Sequence, residues 1–298
     1  MKEDFDILSD VHGEQSTNAI IAMAIYDGDK LPWIQQAVTS LVTQSYQLHI
    51  VMIVIDGPIS DDVLTYLLNV SKPFNNILLA RRTSNAGLST CMNFAAEWAL
   101  SEVPSIQYFF RMDADDISET HRLKTQVEYL ETHPKIDVLG SSLLEINEQG
   151  MQVGARVLPS SHGEIVRYLP RRCAINHPTV AMRMKIFEQG FRYREDLRNT
   201  QDYFFWTDLV AAGHKFANLN DKLLRFRRVN DFYKRRGVVK SLNEFRARIY
   251  TMRVLKRFSL GNMLYACAVL CTRMMPSFVV KFAYKVDRYW LGKRVKQE

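Results

Sequence analysis

Residues 107–118 read QYFFRMDADDIS, an apolar run that ends abruptly on three carboxylates, Asp113, Asp115 and Asp116. Acids clustered at the end of a buried strand are costly, because like charges a few ångströms apart raise one another's pKa. A divalent cation held by oxygen ligands would relieve that cost. The competing reading is that Asp115, Asp116 and Ser118 cap a helix beginning near Glu119. Capping accounts for one acid, not three.

Upstream of this stretch, Ala19–Tyr26 (AIIAMAIY), His49–Ile55 (HIVMIVI) and Asn76–Ala80 are apolar in the manner of strands buried on both faces. Helical spacing separates them. It runs over Lys30–Gln44, from Ser60 through Val63, Leu64, Leu67 and Leu68, and over Leu88–Leu100. With Ile106–Met112 as a fourth strand, this alternation predicts an α/β fold with a mostly parallel central sheet flanked by helices. Ligands bind such sheets beyond the carboxyl ends of the strands. Asp27, Asp56, the loop Arg81–Gly87 and Asp113–Asp116 all fall there.

Downstream, a helix over Glu119–Thr132 is followed by strand-like segments Asp137–Ile146, Gln152–Leu158, Thr179–Met182 and Lys222–Val229, with a helix at Asn199–Ala212. The expected division is a loosely ordered N-terminus over residues 1–17, a catalytic domain over 18–232 and a basic helical extension over 233–298. From residue 222 onward there are 20 Lys and Arg against 4 Asp and Glu, so an acidic body carries a tail suited to an anionic partner. In that tail Val238–Phe258 is basic and amphipathic. Leu260–Tyr284 is more apolar but broken by Arg273 and Pro276, which favours a helix pair on a membrane surface over a span. The acidic N-terminus, MKEDFDILSDVHGEQS, does not read as a secretory leader. Four scattered cysteines without neighbouring histidines read as reduced cytosolic thiols.

A carboxylate cluster with a cation at a sheet edge suits a diphosphate ligand. Asp113 could hold a ribose hydroxyl while Asp115 supplies a metal oxygen; Asp116 is a second ligand or a helix cap. Asp56 either accepts from a base edge or is a turn residue before Gly57 and Pro58. Arg81 and Arg82 meet phosphate or are a solvated pair, and Asn85 and Gly87 make a turn that lets backbone approach a ligand. Asp202, beside Gln201 at a helix start, is a general base if it faces the pocket and otherwise an acid complementing the helix dipole. His177 reaches the diphosphate or the acceptor, or is structural.

In order along the chain, MAIYDGD, VIDGP, SNAGLSTCMNFA, RMDADDIS, NHPTVAMR, TQDYFFWTDLVAAG and KLLRFRR resemble the motifs of family 2 inverting glycosyltransferases of the GT-A fold, above all bacterial enzymes of O-antigen and capsule assembly. The resemblance spans about Ala19 to Val229. It implies a UDP-sugar donor, Mn²⁺ or Mg²⁺ on the DXD acids Asp113 and Asp115, a nucleobase contact from Asp56, and Asp202 as the base. With Asp56, the candidate donor contacts read from the strand ends and loops are Asp27, Arg81, Asn85, Gly87 and Asp113. An undecaprenyl-diphosphate-linked saccharide would be the acceptor, near His177, Gln201, Arg225 and Arg228, at the cytoplasmic face of the membrane. Gln201 stands where relatives often carry Glu, so the base role falls on Asp202 alone. A sugar-nucleotide pyrophosphorylase would need a glycine-rich loop that YDGDKLPW is not. A nucleic-acid-binding protein would leave Asp202 and the acid cluster without purpose.

Overall fold

The computed structural model describes residues 4–9, 17–229 and 238–273. Its centre is the set of apolar runs read above, now strands β2 (Ala19–Ile25), β3 (His49–Asp56), β4 (Ile77–Arg82) and β5 (Tyr108–Asp113), which pair in parallel in the order β4-β3-β2-β5. Alternation along each strand sends successive side chains to opposite faces. On one face Ile21, Met23, Ile53, Phe110 and Met112 pack against α1 (Leu31–Val42), α2 (Asp61–Ser71) and α4 (Arg122–Thr132). On the other, Ile20, Ala22, Met52, Val54 and Phe109 pack against α3 (Leu88–Glu102) and α7 (Gln201–Ala211). Each fully buried Ile or Leu in these layers contributes on the order of 1.5–3 kcal/mol.

The sheet continues past β5 through β9 (Ala181–Arg183), β7 (Val138–Ile146) and β10 (Phe216–Arg227), with β6 (Ile117–Ser118) at the far edge. The β5–β9 and β9–β7 pairings are antiparallel, and β7–β10 is parallel. Two reversals restore direction, so β7 and β10 end at the same edge as β5. That edge therefore collects residues from the whole chain. Strand β8 (Gln152–Arg156) makes a hairpin with β7, and two short helices, α5 (His162–Tyr168) and α6 (Lys185–Glu188), complete the domain.

Several boundaries differ from the sequence expectation. Residues 5–7 are not loose: β1 (Phe5–Ile7) pairs antiparallel with β4, and Phe5 stacks on Phe94 at 4.0 Å. Helix α4 starts at Arg122 rather than Glu119, because Ile117–Ser118 pair with β10 first and Glu119 N–H donates to the Leu223 carbonyl. Strand β10 begins at Phe216 instead of Lys222; irregular pairing between Leu219 and Leu224 hides its period. Thr179 belongs to a 3₁₀ turn, His177–Thr179, that precedes β9.

Of the expected extension, only 238–273 lie among the described residues. Helix α8 (Val238–Val254) is no detached tail: Ala247, Thr251 and Met252 are buried, Thr251 meets Thr207 of α7 at 2.8 Å, and Arg248 donates to the Arg171 carbonyl at 2.8 Å. Helix α9 (Leu260–Arg273) follows, with Cys267 and Cys271 exposed on one stripe. Among the described residues no helix is long and apolar enough to cross a membrane.

Gly57 shows why the turn after β3 needs glycine. Its φ is +91°, and a Cβ there would stand 2.8 Å from the Asn85 backbone nitrogen. The left-handed conformation alone costs a non-glycine residue about 1–2 kcal/mol. Gly57→Ala is therefore expected to lower stability by about 2 kcal/mol or more in urea unfolding, since backbone, unlike a flexible side chain, cannot step aside.

Candidate active site

The carboxylates of Asp113, Asp115 and Asp116 have oxygens within 4.8 Å of one another. Asp113 and Asp115 are half-buried and Asp116 is fully buried. Asp116 is not a helix cap: its Oδ1 accepts the Arg227 backbone N–H at 2.9 Å, across to the end of β10, and its Oδ2 has no partner. Burial, then the charges of Asp113 and Asp115, push its pKa well above the ordinary carboxylate range. Asp115 is pushed up to about 6 by burial and by Asp113. The Arg227 side chain braces the turn from behind. It donates to the carbonyls of Asp115 (2.9 Å), Asn147 and Glu148 (3.2 Å each) and to Gln36 Oε1 (2.6 Å), and it lies 5.2 Å from the Trp33 ring centre.

A fourth acid, Asp29, faces this group. Its Oδ2 accepts the Tyr26 N–H at 3.0 Å, and burial followed by the charges of Asp115 and Asp113 raises its pKa to about 7. A carboxyl group whose pKa is higher folded than unfolded binds more protons in the folded state. Stability is then lost as pH rises from the unfolded value, near 4, through 7. Each tenfold change in the ionisation constant is worth about 1.4 kcal/mol. Asp29→Asn should thus raise the melting temperature at pH 8, with the gain shrinking towards pH 4. An unchanged or lower melting temperature at pH 8 would contradict this.

Asp56 ends β3, and both its oxygens are engaged by backbone N–H groups, those of Ala86 (2.7 Å) and Gly87 (2.8 Å). It shapes the loop before α3, and spare lone pairs on its oxygens leave room for a further donor. Asn85 donates to the Asp56 carbonyl at 3.2 Å and accepts from Arg198 at 2.9 Å; Gly87, at φ +97°, starts α3. Arg81 is half-buried at the end of β4, in register with Asp6, and Asp27 is exposed just after β2. These residues stand on the same rim as the acids.

Asp202 opens α7 behind a strained residue, Thr200, whose φ of 61° is left-handed. It lies deep but keeps part of its side chain open to solvent. Burial raises its pKa; the Tyr203 backbone N–H and the Arg111 charge oppose that rise. The Cys173 thiol sits 3.8 Å from its Oδ2. Gln201 is buried with Oε1 unpartnered. His177 lies 3.1 Å from the Tyr193 hydroxyl, against the rings of Tyr193 and Trp206, with burial and then Arg111 holding its pKa well below the usual value. It is a neutral, packed imidazole.

The arginines in and just after β10 separate. Arg225 pairs with Glu119 at 2.7 Å on an exposed face, Arg228 reaches the buried Glu145 at 3.3 Å, and Arg227 alone of the three braces the acid turn. Sequence reasoning missed Asp29 and Arg111. Arg111 carried a usable signal, since a cation two residues before Asp113 on a buried strand shares its face.

All three clustered residues offer hard carboxylate oxygens, and Asp116 carries a buried oxygen without a partner; this set suits Mg²⁺ or Mn²⁺. Parallel strands ending on such a rim, with the extra mixed strands β7, β9 and β10, form the GT-A type of α/β fold. Solved structures agree: TarS 1-349 of S. aureus in complex with UDP-GlcNAc superposes with a TM-score of 0.57 at 17% identity, over 88% of this chain and 82% of that one. The mannosyltransferase PcManGT from Pyrobaculum calidifontis, with GDP-Man and Mn²⁺, gives 0.55 at 13%, over 94% and 83%. Residues 20–191 match the model of glycosyl transferase family 2, and the chain belongs to that family. The amylovoran biosynthesis glycosyltransferase AmsE of Erwinia amylovora is 30% identical over 90% of this chain and 98% of its own length. A UDP-Gal:alpha-D-GlcNAc-diphosphoundecaprenol beta-1,3-galactosyltransferase of Escherichia coli is 24% identical over 78% and 82%.

Proposed function

We propose that this glycosyltransferase moves a hexose or N-acetylhexosamine from a UDP-sugar to a saccharide carried on a lipid diphosphate, with inversion, in assembly of a bacterial surface polysaccharide. The observation that carries the reading is the cluster of Asp113, Asp115 and Asp116 at the strand ends, with the charge of one buried cation, Arg111, acting both on these acids and on Asp202. The relatives named above support the donor and acceptor classes.

Asp202 takes the proton of an acceptor hydroxyl, whose oxygen then attacks the anomeric carbon as the bond to the diphosphate breaks. The electron pair leaves with UDP, and an α-linked donor yields a β-glycoside. A divalent cation held by Asp113 and Asp115 would neutralise charge on the diphosphate. Asp56, Asn85 and Gly87 shape the wall against which the nucleoside lies, with Asp27 and Arg81 beside them. Asp202 has a raised pKa and so is a stronger base than an exposed carboxylate. The acceptor approaches past Gln201, whose free Oε1 can receive a hydroxyl.

The lipid-borne acceptor fits the far side of α8 and α9. Val239, Leu242, Phe258, Leu260 and Leu264 are exposed there, with Arg253, Lys256 and Arg257 exposed beside them, a combination suited to an anionic membrane surface. One experiment tests the whole reading: a panel of UDP-sugars with a synthetic lipid-diphosphate monosaccharide in anionic vesicles, with and without EDTA. Turnover of one donor, lost in EDTA and restored by Mn²⁺ or Mg²⁺, with the protein sedimenting on anionic but not neutral vesicles, is expected. Turnover that survives EDTA removes the metal, failure to sediment removes the membrane, and no turnover with any UDP-sugar removes the donor class.

A further inference from the structure

Arg111 is a guanidinium in the interior of the sheet, 3% exposed. It projects from β5 on the same face as Asp113, and its two terminal nitrogens fork onto the two Asp113 oxygens, Nη1 to Oδ2 at 2.7 Å and Nη2 to Oδ1. Its Nε has no partner. From this position its charge bears on Asp115 and Asp116 and also on Asp202, His177 and Tyr193. A buried cation is expensive unless paired, and a valine or isoleucine would fill a strand position at no such cost.

We propose that Arg111 is a positioning residue of the acid rim: its fork fixes the Asp113 carboxylate, and its buried charge reaches both the rim and Asp202. The proposal rests on the reading of Asp113 and Asp115 as cation ligands and Asp202 as base. It has two consequences of opposite sign. Arg111 offsets one negative charge of the rim, so it weakens cation binding in the absence of nucleotide. It also favours the ionised form of Asp202, so it supports turnover. Other groups acting on Asp202 are the Cys173 thiol, the Tyr193 hydroxyl, the Tyr203 N–H, and Glu244 and Lys240 of α8.

The test uses the full chain with Arg111→Gln and Arg111→Lys. Mn²⁺ binding without nucleotide is measured by calorimetry, and the pH dependence of kcat/KM is measured over pH 5–9. For Arg111→Gln, Mn²⁺ should bind about three- to tenfold more tightly, while the acid limb of the pH profile moves up by about one pH unit, as expected for loss of a nearby opposite charge. Arg111→Lys keeps the charge but not the fork, so its acid limb should stay at the wild-type position while kcat falls. This variant decides the matter alone if Arg111→Gln does not fold. Weaker Mn²⁺ binding in Arg111→Gln, or an acid limb in Arg111→Lys displaced upward by about one pH unit from wild type, would overturn the proposal. Asp202→Asn serves as the control: if it retains full activity, the reading of the base fails. If it is inactive while Arg111→Gln leaves both quantities at wild-type values, only the Arg111 role fails.

Discussion

Asp202→Asn is expected to lower kcat by about 10³-fold or more, within the range a general base contributes, while UDP binding by calorimetry stays within about twofold of wild type. Asparagine keeps the size and the hydrogen-bonding reach of the side chain but cannot accept a proton from the acceptor hydroxyl. It also removes a buried charge whose desolvation raises the pKa of Asp202, so the variant should be no less stable at pH 8. For the wild type, kcat/KM should fall on the acid side as Asp202 becomes protonated, at a pH above the usual carboxylate value. A variant with undiminished turnover would remove Asp202 from the chemistry. One that also lost UDP binding would mean that the residue holds the fold of the site instead. The left-handed Thr200 just before it suggests that the backbone is held in place for this side chain, since strained residues persist where their surroundings over-determine them.

Asp115→Ala should separate binding from stability in the opposite sense to an ordinary core substitution. Cation-dependent UDP binding should weaken by about 100-fold or more, because charge neutralisation of a diphosphate is worth several kcal/mol. The metal-free fold should become more stable at pH 8. Asp115 is raised to about 6, so at pH 8 it is ionised against the repulsion of Asp113 and the burial of the site. The cost is present above pH 6 and fades towards pH 4 as the folded protein takes up the proton. UDP titrations with Mn²⁺ and thermal melts across pH 5–8 read both effects. In the wild type, Mn²⁺-dependent UDP binding should also weaken as pH falls below about 6. A variant that binds UDP normally would show that Asp115 is not a ligand, and one that melts much lower at pH 8 would show that its carboxylate serves the fold.

Asp116 Oδ2 and Arg122 Nη1 both lack partners, and burial lowers the Arg122 pKa to about 9. Such groups are tolerated only where neighbouring structure compels it. Asp116 is itself one of the clustered acids, so this local frustration of the fold lies within the site.

Several parts of this arrangement were legible from residue order alone. Consecutive apolar residues in 19–25 and 49–55 read as strands covered on both sides, because the runs are short, rich in isoleucine or valine and bounded by turn residues. Acids placed where such strands stop must then meet at one edge, and Asp113, Asp115 and Asp56 do. Asp202 was legible as a helix-start acid, though not as a deep one. Tertiary structure decided the rest. Whether β10 ran with or against β5 depended on two antiparallel pairings through the three-residue strand β9, and that set which of Arg225, Arg227 and Arg228 reached the acid turn. Asp29 was hidden in a turn, its significance coming only from the charges folded opposite it. Arg111 was concealed within an apolar run, where its cost could be judged only once its fork on Asp113 was seen. Local patterns specify elements because backbone geometry has fixed periods; which charges face one another depends on strand register and crossover direction, and those are set by packing across the whole sheet.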